Sequence, residues 1–295
     1  MNFLITGGTG FIGSALCAHL CQQRHHIVVK TRYPESLGLE MTGVTSLSEV
    51  SPDQRFDVVI NLAGEPIANK RWSAVQKQKI VDSRLDTTEE IIAFLKNAKT
   101  KPAVLISGSA IGYYGTGATD AVIDEFGAGD DSFSSTLCAK WEASALAAEV
   151  LGIRTCLLRI GIVLGCGGGA LQKMIPPFRL GLGGRIGTGT QWMSWIHLHD
   201  LIAIIDYCIS DNSVHGPINC TAPQPVSNQD FTKALGKCLK RPAVLPVPSL
   251  AIKALMGEMG TELLLAGKQV RPVKLEAAGF KFKYKELGAA LTSVL

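Results

Sequence analysis

An apolar run at residues 2–6, Asn-Phe-Leu-Ile-Thr, passes directly into Gly7-Gly8-Thr9-Gly10-Phe11-Ile12-Gly13, and a helical pattern follows over 11–23. Glycines 7, 10 and 13 give a G-x-x-G-x-x-G spacing between strand and helix. Without a Cβ, such a turn can be tight and its backbone amides can approach an anion. The helix starting there adds the partial positive charge of its N-terminus. This combination predicts a pyrophosphate cradled on Gly7, Thr9, Gly10, Phe11, Ile12 and Gly13, and hence dinucleotide binding. A Walker loop is excluded, because Ser14 stands where that motif requires lysine.

Short apolar runs alternate with helical patterns through the first two-thirds of the chain. Strands are expected at 26–31, 57–62, 103–108 and 154–160, with helices at about 83–97 and 136–150. Short buried strands joined by helical crossovers imply a parallel sheet covered on both faces. The expected fold class is α/β, a Rossmann-like doubly wound parallel sheet with a smaller, mixed C-terminal lobe. Residues 1–165 are assigned to the cofactor-binding domain, with a return segment at about 190–222. Residues 166–295, including a tail at about 240–290, are assigned to the substrate-side lobe. Within that lobe, 200–209 reads as a helix capped by Asp200, 249–265 as helical, and 279–284 as a short β-like end.

Composition narrows the function. The net charge of +4 is mild and no long basic run exists, so nothing calls for a nucleic-acid partner. No segment reaches the roughly 18 apolar residues of a membrane span. The N-terminus has no basic region and reads as a buried strand, not a signal peptide. The 8 cysteines form no C-x-x-C pair, which argues against zinc. A cytoplasmic protein with free thiols is expected, monomeric or homodimeric, acting on a small molecule.

The second strand bears on cofactor choice. An acidic residue at its end would hold the ribose hydroxyls of NAD. This strand ends Lys30-Thr31-Arg32, and the first acid is Glu35. A guanidinium there favours a 2′-phosphate, so NADP is expected over NAD.

Thr6-Gly7-Gly8-Thr9-Gly10-Phe11-Ile12-Gly13 resembles the loop of extended short-chain dehydrogenases, the nucleotide-sugar epimerase and dehydratase group. Asn61-Leu62-Ala63-Gly64, Ile106-Ser107-Gly108-Ser109-Ala110 and Trp195-Ile196-His197-Leu198-His199-Asp200 resemble later motifs of that group. Ser83-Arg84, Gly112-Tyr113-Tyr114-Gly115, Trp141-Glu142, the string Arg159–Gly165 and Arg241-Pro242-Ala243 are more specific. They resemble the YfcH-like epimerase family, an atypical short-chain dehydrogenase group with its own C-terminal domain. The resemblance spans essentially the whole chain. It implies that Asn61, Leu62, Ala63 and Gly64 pass the adenosine-side ribose and pyrophosphate. It also implies that Ser107 and Ile162 contribute to the cofactor site, with Ser107, Ser109 and the Tyr113–Tyr114 loop facing the nicotinamide.

Enzymes of the wider superfamily use a Tyr-x-x-x-Lys pair and a serine, in which tyrosine moves the hydroxyl proton while hydride moves to or from nicotinamide. No Tyr-x-x-x-Lys occurs here. If Lys140 takes the lysine position, Thr136 falls where tyrosine should be. Ser109 matches the serine. Three readings stay open: Tyr113 or Tyr114 replaces the lost phenol; Lys140 or a carboxylate such as Glu142 does the proton work; or the protein binds NADP without turnover, as a sensor or regulator. The leading expectation is an NADP-binding oxidoreductase or epimerase acting on a small hydroxyl or carbonyl substrate, with Ser109, Tyr113, Tyr114 and Lys140 as catalytic candidates. His197-x-His199-Asp200 has metal-ligating residue types, but its ligands would alternate faces, and no metal is expected.

Overall fold

The computed structural model describes residues 1–117 and 121–295. Its strands, in chain order, are β1 (Asn2–Thr6), β2 (His26–Lys30), β3 (Met41–Val44), β4 (Val58–Asn61), β5 (Val104–Ala110), β6 (Val122–Ile123), β7 (Arg154–Ile160), β8 (Ile162–Leu164), β9 (Trp192–Met193), β10 (Trp195–His197), β11 (Gly216–Cys220), β12 (Val226–Ser227) and β13 (Gln269–Val270). Seven of them form one sheet, in the order β3-β2-β1-β4-β5-β7-β11. Every pairing in it is parallel. The chain winds outward from β1 to β3, then crosses back and winds the other way from β4. The switch therefore lies between β1 and β4, where Thr6 is level with Asn61.

Alternation along the strands decides which helices cover which face. Phe3, Ile5, Val29, Ile60 and Ile106 point to one side, where they meet Leu16 and Leu20 of α1 (Phe11–Gln22) and side chains of the later helix at Leu198–Ser210. Leu4, Val28, Val59 and Leu105 point to the other, against Ile91 and Leu95 of α2 (Ala74–Asn97) and Ala145 of α3 (Phe133–Leu146). The remaining helices are α4 (Gly169–Arg179), α5 (Leu198–Ser210), α6 (Asn228–Leu239), α7 (Ser249–Met256), the single turn α8 (Glu258–Gly260), α9 (Val273–Ala277) and α10 (Leu287–Val294). A further apolar cluster joins α4, α6 and α10 around fully buried Trp195.

Several elements differ from expectation. β3 was not anticipated, because Thr42 and Gly43 interrupt its apolar pattern. Helix α2 begins at Ala74 rather than near 83; its first turns are polar, and Ser73 caps it by accepting from the Gln76 amide at 3.1 Å. The tail helix breaks at Gly257, whose φ is +62°. Residues 279–284 form no strand; instead the Lys283 and Tyr284 amides donate to the buried Asp200 carboxylate at 3.0 and 2.8 Å. Asp200 is therefore a clasp for the tail and not the cap of α5. The cap is His197, whose Nδ1 accepts from the His199 amide at 3.0 Å.

His197 also stacks on Tyr284, with centroids 3.8 Å apart, and its Nε2 meets Ser293 Oγ at 3.1 Å. With Nδ1 accepting, Nε2 carries the proton and the ring is neutral. Burial lowers its pKa to about 4, from 6.5. A group whose folded pKa lies below its unfolded value binds more protons unfolded, so stability should fall as pH drops from 6.5 towards 4. Urea unfolding at pH 7 and pH 5 should show this slope, and His197→Asn, which keeps a capping acceptor but does not titrate, should flatten it.

Candidate active site

Gly7 sits where β1 ends, with φ +73°, and a Cβ on it would come within 2.5 Å of the Leu62 carbonyl carbon. A Cβ on Gly13 would come within 2.1 Å of the Gly7 carbonyl oxygen. The first turn of α1 is thus seated directly on the loop, at the switch point. Gly10 donates to the Gly7 carbonyl at 3.0 Å, and no side chain caps α1. Its first amides are left for an external acceptor. The second glycine-rich stretch serves the first: a Cβ on Gly168 would strike the Phe11 ring at 2.4 Å.

Two cavities run along this loop. One, of about 630 Å³, is lined by Gly8, Thr9, Ser14, Ser36, Leu37 and Met41. The other, of about 510 Å³, is lined by Thr9, Gly10, Phe11, Ser14, Cys166 and Gly167. They share Thr9 and Ser14, and so form one canyon across the N-terminus of α1. Arg32 stands exposed just beyond β2, its guanidinium 5.9 Å from the Tyr33 ring centroid and without an ion-pair partner among the described residues. Lys30, by contrast, is paired with Glu90. A Cβ-free cradle, an uncapped helix start and an uncommitted cation fit an anionic dinucleotide.

Asn61 is committed to the core. Its Oδ1 accepts from Thr6 Oγ1 at 2.7 Å and its Nδ2 donates to Thr88 Oγ1 at 2.9 Å. Trp141 Nε1 donates to the same threonine at 3.1 Å. The exit from β4 meets the glycine loop through backbone, with the Leu62 carbonyl and the Ala63 amide against Gly7. Ser107 is fully buried, its hydroxyl directed to the Gly108 carbonyl at 3.3 Å, so it has no free face for a nicotinamide. Ile162 bonds through its amide to the Ser194 carbonyl at 2.9 Å and packs into the cluster around Trp195.

At the carboxyl ends of β5 and β7 lies a polar network that the sequence did not reveal as a unit. Ser109 Oγ donates to Glu142 Oε1 at 2.6 Å. Arg159 grips the same carboxylate with two bonds, Nε at 2.9 Å and Nη2 at 2.8 Å. The two side chains are only 4% and 7% exposed. Burial opposes the charge on Arg159, but the Glu142 bonds outweigh it and raise its pKa. Arg159 Nη1 also donates to the Tyr114 hydroxyl at 3.0 Å, and that hydroxyl donates onward to Asn219 Oδ1 at 2.6 Å. Burial pushes the Tyr114 pKa up to about 12, against the lowering effect of Arg159. With its proton and a lone pair spent inside the core, Tyr114 is poorly suited to exchange protons with a ligand. Tyr113 is half-buried, its ring centroid 3.5 Å from the Arg159 guanidinium carbon. Lys140 and Thr136 are exposed on α3, and Lys140 has no ion-pair partner among the described residues.

The tail braces this end of the sheet. Glu262 accepts from the Phe133 and Ser134 amides, both at 3.0 Å, and from Ser134 Oγ at 2.6 Å, which closes the start of α3. Lys268 Nζ donates to the Tyr114 carbonyl, and Asn219 Nδ2 donates to the Arg271 carbonyl at 2.9 Å. His197 and Asp200 are likewise spent on the tail, and among the described residues no cluster of His, Cys, Asp or Glu could hold a metal. Removing one partner of a buried ion pair leaves an uncompensated charge. Glu142→Ala should therefore cost about 3–5 kcal/mol in urea unfolding; a loss below about 1 kcal/mol would mean the pair is solvated, as surface pairs are.

Residues 3–220 match the NAD dependent epimerase/dehydratase family, and residues 247–294 match a domain of unknown function, DUF1731. The chain is 39% identical to the epimerase family protein YfhF of Bacillus subtilis, over all of this chain and 98% of that protein. It is 40% identical to a chloroplastic SDR39U1 homolog of Arabidopsis thaliana, over all of this chain and 87% of that protein. Among solved structures, human epimerase family protein SDR39U1 with NADPH superposes with a TM-score of 0.90 at 36% identity, covering 100% of this chain and 99% of that one. A UDP-glucuronic acid 4-epimerase of Bacillus cereus with NAD, 18% identical with a TM-score of 0.78, shares the fold. No helix among the described residues is long and apolar enough to cross a membrane. The chain thus belongs to the NAD dependent epimerase/dehydratase family, in an atypical short-chain dehydrogenase branch that carries a C-terminal DUF1731.

Proposed function

We propose that this chain binds NADPH along the glycine loop and uses it on a small hydroxyl or carbonyl substrate, as an NADP-dependent oxidoreductase or epimerase. The observation that carries the reading is the cradle itself: Gly13 beneath the Gly7 carbonyl, with an uncapped helix start opening into the canyon. The human relative with NADPH supports the same cofactor. The amides at the start of α1, from Phe11 to Gly13, hold the pyrophosphate, the Gly10 amide being spent on the Gly7 carbonyl; the backbone of Leu62, Ala63 and Gly64 borders it, and Arg32 neutralises the 2′-phosphate. When bound, the nicotinamide supplies a hydride donor or acceptor. Tyr113 faces the substrate oxygen and its Oη moves the proton, while Ser109, 4% exposed and bonded to Glu142, offers that oxygen a lone pair. Of the two tyrosines, Tyr113 is favoured because the Tyr114 hydroxyl is already spent on Arg159 and Asn219. Lys140, exposed on α3, has no part in this reading. Residues 1–165 with the return at 190–222 carry the cofactor, and 166–295 form the substrate side.

A second reading, NADP binding without turnover, is favoured by one feature: no Tyr-x-x-x-Lys pair occurs in the chain. The two readings separate on stereospecific hydride transfer. NADPH should bind more tightly than NADH by fluorescence titration, and Arg32→Ala should weaken NADPH about tenfold, or ~1.4 kcal/mol, with little change for NADH. In a screen of small carbonyl compounds, Tyr113→Phe should abolish transfer of deuteride from labelled NADPH, while Tyr114→Phe retains part of it. Tight binding with no transfer to any compound would favour the regulatory reading.

A further inference from the structure

We propose that Arg159 is a positioning residue for proton transfer at Tyr113, supplying the fixed cation that the missing lysine supplies in the wider superfamily. The inference rests on the reading above, in which Tyr113 faces the substrate oxygen. Its basis is the way the guanidinium is held. Nε and Nη2 are bound to Glu142, and Nη1 to the Tyr114 hydroxyl and, at 3.1 Å, to the Glu125 carbonyl. A planar fork anchored on each nitrogen cannot rotate, and lysine could not reproduce it. The Tyr113 ring lies against this fixed plane, its centroid 3.5 Å from the guanidinium carbon, where a cation and an aromatic face attract.

The same ion pair sets the polarity of Ser109. A serine has one proton and two lone pairs. The Ser109 proton is committed to Glu142, so Ser109, itself only 4% exposed, can only accept across the narrow face left to it. The Tyr113 hydroxyl has no hydrogen-bond partner among the described residues, whereas that of Tyr114 has two. One ion pair thus holds an acceptor, Ser109, and an uncommitted donor, Tyr113. A substrate carbonyl takes its proton from Tyr113, and the hydroxyl formed can donate to Ser109. In that reducing direction the Tyr113 O–H bond breaks and its proton passes to the carbonyl oxygen. The carbonyl carbon gains a C–H bond from the hydride that NADPH would supply as reductant, leaving NADP⁺, and the phenolate left behind regains a proton from water.

The test is ¹³C NMR of protein labelled at tyrosine Cζ, with NADPH as the only ligand. The chain has 5 tyrosines, and Tyr113→Phe and Tyr114→Phe identify two of the signals. Saturating NADPH should shift the Tyr113 signal and leave that of Tyr114 in place. In Arg159→Lys the NADPH Kd should stay within about threefold, since the glycine loop is untouched, while the Tyr113 shift falls to less than half. Should Arg159→Lys fail to fold, Glu142→Gln, which keeps the shape and one acceptor but loses the charge, should give the same loss. An unchanged Tyr113 shift in the variant that folds overturns the proposal. So does a Tyr113 signal that NADPH never moves in the unmodified protein although NADPH binds. Failure of NADPH to bind the unmodified protein overturns the underlying reading and the proposal with it.

Discussion

Gly13 lies so close beneath the Gly7 carbonyl, and Gly7 so close to the Leu62–Ala63 backbone, that a Cβ at either position would collide with main-chain atoms. This three-way contact joins the end of β1, the start of α1 and the exit from β4. It sits where strand order reverses, so the crevice of the doubly wound sheet opens there. Thr6, Asn61, Thr88 and Trp141 extend the same joint into the core as a chain of satisfied hydrogen bonds. Their burial spends the last side chain of β4, Asn61, inside the core. Phe11 then ties the second glycine-rich segment to the first, because Gly168 leaves room for its ring.

At the other end of the site the organising contact is electrostatic. The buried Glu142–Arg159 pair reaches Ser109 and Tyr114 through hydrogen bonds and Tyr113 through its ring. Such a pair contributes little net stability over a packed apolar alternative, but breaking it by half is costly. It therefore fixes geometry more than it stabilises the fold. The DUF1731 segment completes the arrangement. Glu262 satisfies the opening amides of α3, and Lys268 ties down the Tyr114 carbonyl. The tail thus braces the elements that carry the Glu142–Arg159 network.

Local features were the legible ones. The glycine loop, the apolar strands and the crossover helices each declare themselves within about ten residues, through spacing and periodicity. Misreadings arose where local signals were weak or ambiguous. The polar opening of α2 hid its first turns, and Asp200, in the first turn of α5, looked like a cap although its partners lie more than 80 residues away. The Ser109–Glu142–Arg159 network joins residues 33 and 17 positions apart, and no pattern along the chain announces it. Tyr113 and Tyr114 are adjacent in sequence and equivalent on paper. Only the fold separates them, by sending one hydroxyl into the core and leaving the other ring half-buried against the guanidinium.

In the binding mode we propose, a single NADPH molecule spans from Arg32, past Gly7–Gly13, to Tyr113. A crystal structure of the protein with NADPH tests it most directly. The account predicts the 2′-phosphate within hydrogen-bond reach of the Arg32 guanidinium, the pyrophosphate on the α1 amides, and the nicotinamide ring facing Tyr113 with Tyr114 still bonded to Asn219. A nicotinamide lodged elsewhere, or a 2′-phosphate pointing away from Arg32, would contradict it.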